Sequence, residues 1–539
     1  MTIGAGTKYR SKHVEGEFDA IIIGSGMGGL SAASLLAQAG KKVLVLEQHY
    51  TIGGCSHSFS RKGYEWDVGL HYVGDVASET SIFRQVFDYI TQDKVKWAPL
   101  PKIYNRFAIG DNIYDIPAGK EAYAAKMKEY FPEEADFIDQ YIQLIYKVNK
   151  AGASFFAERA LPRKLADTLY DSMTKDFRQY SDQTTYEVLS AMTGNEELIA
   201  VICANYGDYS LPPKRSAFSV HAQTVKHYLN GASFPIGGPS VLAASIIPIV
   251  EDAGGKVLYS APVVEILVEN EQATGVKLKN GDEIKASLVI SGVGVINTFG
   301  HMLPKPLVAK HGLAELPGGV KPSYTTLGLN IGFAESAESL GLNPANIWAH
   351  PTSDLDENVN RLAEDHSAEL PGHFITTPSM RDPSWSERYP NKCTISMYSS
   401  VPYEMFEKWE GVDSKDRGEE YDVLKERLVN EMLEALYHWV PQVKGKIDYY
   451  ELSTPLSINN FLGRTKGNFM GLEHSPERFK QRWLRADTPI NNLYLTGQDV
   501  VGDGMVGATS AGVICASAIL QKNMFTEILQ RNPKEQLKS

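Results

Sequence analysis

Between Asp19 and Glu47 the chain spells out a strand, a glycine-rich turn, a helix and a second strand. That order within about thirty residues predicts a right-handed βαβ unit. The β-branched run Asp19-Ala-Ile-Ile-Ile-Gly24 leads into Gly24-Ser-Gly26-Met-Gly28-Gly29, then into LSAASLLAQAG at helical spacing, then into Lys42-Val-Leu-Val-Leu-Glu47. Gly24 allows the tight turn, Gly26 lets the backbone approach a pyrophosphate, and Gly29, beside Gly28, lets the helix pack closely on the strand. The positive end of the helix then faces the phosphates. Glu47 closes the second strand about 20 residues on, where a carboxylate accepts hydrogen bonds from a ribose diol. A dinucleotide site follows.

Two further segments choose between dinucleotides. Gln48-His-Tyr-Thr-Ile-Gly53-Gly54-Cys55-Ser56 puts a second glycine pair just after the acid, a bare backbone where side chains would collide with a ligand. Leu495-Thr-Gly497-Gln-Asp499 ends a strand far downstream. Both are similar to motifs of the amine-oxidase and phytoene-desaturase superfamily of flavoproteins. The resemblance implies FAD, with Asp499 on the ribityl hydroxyls and the amides around Met505 and Val506 facing the pyrimidine edge of the flavin. Cys55 is then small packing beside the cofactor. Two other glycine runs, Gly502-Asp-Gly504-Met-Val-Gly507 and Gly292-Val-Gly294-Val-Ile-Asn297, imitate the first motif but lack the strand and acid that must follow. No NAD(P) domain is expected.

Composition removes other classes. The 539 residues carry a net charge of −12, which argues against a nucleic-acid binder. Four cysteines without a CxxC pair, and histidines without ligand spacing, predict no metal site, no disulfide scaffold and a reducing, cytoplasmic setting. The start of the chain has no apolar secretory core. Ala20–Gly40 and Gly504–Gln521 are uncharged but rich in Gly, Ala and Ser, so both read as buried helices and not as membrane spans.

GSGMGGLSAASLLAQAGKKVLVLEQH, GGCSHSF, DVGLHYVG, Pro212-Pro-Lys-Arg215, Phe234-Pro-Ile-Gly-Gly238 and LYLTGQD with GMVGA resemble the retinol saturase branch of the phytoene-desaturase-related flavoproteins. Carotenoid isomerases share most of these blocks. The leader of animal retinol saturases is absent, and Gly502-Asp503 departs from the terminal motif. The resemblance implies an FAD oxidoreductase acting on carbon–carbon double bonds of a long polyene or isoprenoid lipid, by saturation or cis–trans isomerisation. A carotenoid or fatty-lipid desaturase, an amine-oxidase-like enzyme and a non-catalytic lipid-binding flavoprotein are the alternatives.

The expected fold is α/β: a glutathione-reductase-type FAD-binding Rossmann domain from residues 17–100, 235–300 and 485–525, with Val263 in a segment that resembles the adenine contact. It is interleaved with a mixed-sheet substrate domain and helical cap from 101–234 and 301–484. Candidate catalytic residues are His71, in a loop that by resemblance approaches the flavin, and His227 and Tyr228. Saturation needs a proton donor, and a histidine in such a loop either supplies it or hydrogen-bonds the loop or cofactor. Asp208 reads as a turn cap. Basic residues around Phe155-Phe156 suggest either peripheral membrane contact or a solvated cap helix with a core-facing phenylalanine pair. With one dinucleotide unit and no CxxC relay, electrons are expected from an external donor.

Overall fold

A computed structural model describes residues 6–531. Phe18–Ile23 and Val43–Leu46 pair in parallel, with Met27–Gln38 crossing between them. A Cβ on Gly29 would lie 2.3 Å from the Gly24 carbonyl oxygen, so only glycine lets that helix approach its strand. Lys256–Tyr259 adds in parallel beyond Val43–Leu46, and Glu283–Ser291 adds beside Phe18–Ile23. Leu493–Leu495 then pairs in parallel with Glu283–Ser291. Thr7–Lys8 extends the far edge, so the sheet begins upstream of residue 17.

Glu283–Ser291 serves two sheets. Its first residues pair antiparallel with Gln272–Leu278, which pairs in turn with Val263–Glu269. The Asn280-Gly281 signal lies at the turn between Gln272–Leu278 and Glu283–Ser291, where Gly281 takes φ +94. This parallel sheet with an antiparallel meander is the FAD-binding architecture expected from the sequence.

The two uncharged runs become the helices Met27–Gln38 and Gly504–Leu520, which cross so closely that a Cβ on Gly512 would overlap the Ser31 hydroxyl. Small residues are there for helix contact. Among the described residues no single helix is long and apolar enough to cross a membrane.

A seven-stranded mixed sheet forms the second layer, in the order Ile447–Ser453, Thr325–Phe333, Cys393–Val401, His373–Thr376, Asn346–His350, Ile103–Ile109, Asn112–Pro117. Helices from Lys120–Tyr130 to Phe218–Leu229 cap it. The hairpin Ser58–Arg61/Tyr64–Asp67 turns on Lys62 and Gly63, both at positive φ, and locks onto this sheet through Trp66 Nε1 donating to the Ile331 carbonyl.

The expected lipid-facing pair is interior. Phe155 is 2% exposed, stacks 4.4 Å from Phe177 and lies under the Arg159 guanidinium. Arg159 is buried too, donating to the carbonyls of Leu484 and Val500. These groups join the cap to the FAD-binding half, which excludes them as a membrane anchor.

Candidate functional site

All four central parallel strands end on one edge, and a cavity of about 320 Å³ opens there. Gly24, Gly26, Gly28, Glu47, Gln48, Gly53, Gly54, Cys55, Ser56, Val263, Gly497 and Met505 line it. The glycines have separate jobs. A Cβ on Gly28 would meet the Gly497 backbone at 2.6 Å, and one on Gly54 would meet Gly26 Cα at 2.8 Å, so three loops touch through bare backbone. Gly26 has nothing within 4 Å of its would-be Cβ, which leaves room for a ligand against its backbone.

Glu47 is nearly buried. One of its oxygens accepts both Ser25 N–H and Ser25 Oγ, at 2.8 and 2.7 Å, and the other accepts His49 N–H at 2.8 Å. A carboxylate offers about four acceptor sites, so one remains for a ribose hydroxyl. Ser25 Oγ also accepts Gly53 N–H, tying the second glycine pair to the first. Arg464 also lines the cavity, with its Nη1 donating to the Val293 carbonyl at 3.4 Å. A cation, glycine amides and the start of Gly504–Leu520 make a donor set suited to a diphosphate. The residues present fit FAD.

Gly29 packs its helix against its own strand as expected, and the Val506 side chain packs into the sheet–helix core. The two oxygens of buried Asp499 accept backbone N–H groups of Val295 and Leu472, each at 2.9 Å. It staples the terminal motif to two neighbouring loops. Sequence reading missed Phe461, Arg464, Phe469 and Met470, which come from the end of the helix Pro455–Leu462 and the segment after it, where no motif stands. It also set aside Gly292–Gly294, which line the cavity as the exit of the third parallel strand.

Burial raises the Cys55 thiol's pKa, which keeps it protonated and fits packing over redox chemistry. Burial, with a smaller contribution from Arg381, lowers His71 to about 3, so its imidazole is neutral. Its ring packs against Tyr398 and Phe374, and its carbonyl accepts Arg381 Nη1 at 2.6 Å. His227 is lowered to about 4 by burial, and its Nε2 accepts Gly74 N–H at 2.9 Å. It clamps the loop and lines neither this cavity nor the second one described next. Tyr228 stacks 4.5 Å from Tyr72, whose hydroxyl donates to Asp208 at 2.7 Å. Burial raises Asp208 to about 7, so it is a buried acid and not a simple turn cap.

A second cavity, about 130 Å³, continues from the first and shares His49, His57, Phe461, Leu462 and Phe469 with it. One face of the large sheet walls it, through Thr326, Gly328, Asn330, Tyr398 and Ser453, and the hairpin supplies Phe59 and Asp67. Tyr50 and Phe461, 53% and 42% exposed, are the exposed aromatic residues of its lining.

Residues 27–520 match the family of flavin-containing amine oxidoreductases. The all-trans-retinol 13,14-reductases of Danio rerio and Homo sapiens are each 35% identical to the chain, over 96% of it and 88% of their own length. Prolycopene isomerase 2 of an Oncidium hybrid cultivar is 26% identical over 96% of the chain and 86% of its own. Among solved structures, a redesigned putrescine oxidase superposes with a TM-score of 0.61 at 15% identity, covering 94% of this chain and 99% of that one. That likeness carries the fold alone. The chain belongs to the flavin-containing amine oxidoreductases, with FAD as cofactor, in the branch that holds the all-trans-retinol 13,14-reductases and the prolycopene isomerases.

Proposed function

We propose that this enzyme saturates a double bond of a long conjugated isoprenoid. The observation that carries the reading is the second cavity: it shares five lining residues with the FAD cavity, and its walls include Phe59, Tyr398, Phe461 and Phe469. Such a wall suits a flat polyene and buries it from water. Bound FAD supplies the two-electron chemistry. Glu47, Ser25 and the glycine turns hold it, and the sheet face positions the substrate.

Amine oxidation is less well supported, since no lysine lines either cavity and an amine oxidase of this fold usually uses one. Isomerisation is the second reading, favoured by the relatives named prolycopene isomerases. Saturation ranks above it because the reductase relatives are nearer in sequence.

Electrons come from an external donor. Both glycine runs that imitate a second dinucleotide motif line the FAD cavity itself, through Gly292, Gly294, Gly504 and Met505, and so leave no separate nicotinamide site from those residues. Peripheral membrane contact belongs at Tyr50 and Phe461, beside the mouth through which a lipid enters.

Incubation with all-trans retinoids and carotenoids under a chemical reductant, without oxygen, tests the reading. A product heavier by two hydrogens supports saturation, and an isomer of unchanged mass supports isomerisation. No change in any polyene, with FAD fully bound, refutes both.

A further inference from the structure

Asp67 ends the strand Tyr64–Asp67 and borders the second cavity. It is 4% exposed, and its Oδ2 has no hydrogen-bond partner. Its Oδ1 accepts Ser58 Oγ at 2.9 Å, across the hairpin, and its carbonyl accepts the Tyr398 hydroxyl at 3.3 Å. A buried carboxyl with one orphaned oxygen at a cavity wall is costly unless that oxygen carries a proton or meets a ligand.

We propose that Asp67 is the catalytic acid of the saturation, giving the proton on Oδ2 to a substrate carbon in the second cavity. The proposal rests on the saturation reading above. One alkene carbon takes a hydride, with two electrons, from reduced FAD. Its neighbour takes the proton of Asp67, so the π bond, the N–H bond of the reduced flavin that carried the hydride and one carboxyl O–H bond are lost, and two C–H bonds form. FAD ends oxidised and is re-reduced by an external two-electron donor. The carboxylate regains its proton from water, while Ser58 Oγ keeps its hydrogen bond to Oδ1.

The surroundings keep the acid loaded. Burial raises Asp67 to about 8, and Glu65 on the same hairpin adds to this, while Ser58, Arg381 and Arg388 oppose it. Arg388 is itself engaged by Glu65 and Asp382, which blunts its pull. Arg61, His49, His57, Glu451, Tyr50 and Tyr398 are the other titratable groups on the cavity. His57 is held neutral by burial, and burial also lowers His49.

The test uses holoenzyme carrying Asp67→Asn, Asp67→Glu or Ser58→Ala. Infrared difference spectra should show a protonated-carboxyl band that titrates near pH 8 in the parent and is missing in Asp67→Asn. Saturation should fall about a hundred-fold or more in kcat for Asp67→Asn, at unchanged KM and FAD content, with partial recovery in Asp67→Glu. The parent's kcat should fall above about pH 8, a limb that Asp67→Asn lacks. Should Asp67→Asn lose FAD, the parent's pH limb and the infrared band, compared with Asp67→Glu, decide instead. Parent-like kcat and pH profile in Asp67→Asn, or a band unrelated to residue 67, overturns this role alone. A parent that saturates no polyene overturns the function and this role together.

Discussion

Ser25 presents its backbone N–H and its hydroxyl to the same oxygen of Glu47, at 2.8 and 2.7 Å. The phosphate turn and the ribose acid are therefore one hydrogen-bonded unit, and each holds the other in shape before any cofactor arrives. The arrangement leaves one acceptor site on Glu47 for a ribose hydroxyl, and that site is what the first prediction removes.

Glu47→Ala should weaken FAD binding by about 1.5–3 kcal/mol, roughly ten- to hundred-fold, through loss of charge-assisted hydrogen bonds. Equilibrium dialysis with flavin fluorescence measures it. Parent-like affinity in this variant would contradict the placement of the ribose.

Gly26→Ala and Gly28→Ala should fail in different ways. The added Cβ at Gly26 meets no protein atom within 4 Å, so the apoprotein should keep its Tm while FAD occupancy falls. At Gly28 the Cβ meets backbone at 2.6 Å, and overpacking there should cost about 1–3 kcal/mol even without flavin. Equal behaviour of the two in apoprotein melts would show that the turn is misassigned.

Phe155→Ala should cost about 3–5 kcal/mol as a core cavity, and should leave liposome flotation unchanged. Tyr50→Ser with Phe461→Ser should do the reverse, lowering flotation at nearly constant Tm. Flotation insensitive to Tyr50→Ser with Phe461→Ser removes the mouth as a lipid contact.

Stability should peak near pH 6.5. Burial lowers His71 and His221 to about 3, and His57, His227, His350 and His373 to about 4, from 6.5. Only the unfolded chain protonates them in that interval, so their contribution is lost as pH falls below 6.5. Burial raises Asp67 and Asp503 to about 8 and Asp208 to about 7, from 3.8. The folded chain alone holds those protons, so that contribution is lost as pH rises toward 8. The six histidines outweigh the three acids below 6.5, and above it the acids act alone. Thermal melts across this range check it, and a Tm that climbs steadily to pH 8 would refute the sign.

Local chemistry was legible in the sequence. Gly24 to Glu47 lie on one continuous βαβ unit, so spacing alone fixes their relation, and the Asn280-Gly281 turn is equally local. The stapling role of Asp499 was not legible, because its partners, Val295 and Leu472, lie on loops that only the fold brings near. Phe155 misled for a related reason: basic neighbours looked like a lipid-facing collar, but Arg159 points inward to two carbonyls. Asp67 was read only as the start of the loop carrying His71. Its orphaned oxygen is a property of three-dimensional surroundings, which no spacing reports.

Leu493–Leu495 docks against Glu283–Ser291, and the loops that follow it close the cavity with Gly497 and Met505. During synthesis the flank of Glu283–Ser291 must therefore wait unpaired while some two hundred residues of the other layer are made. A waiting strand edge is a template for wrong partners. Flavin capture becomes one of the last events in the making of this enzyme, and cells short of riboflavin should accumulate it as a nearly finished, chaperone-held chain.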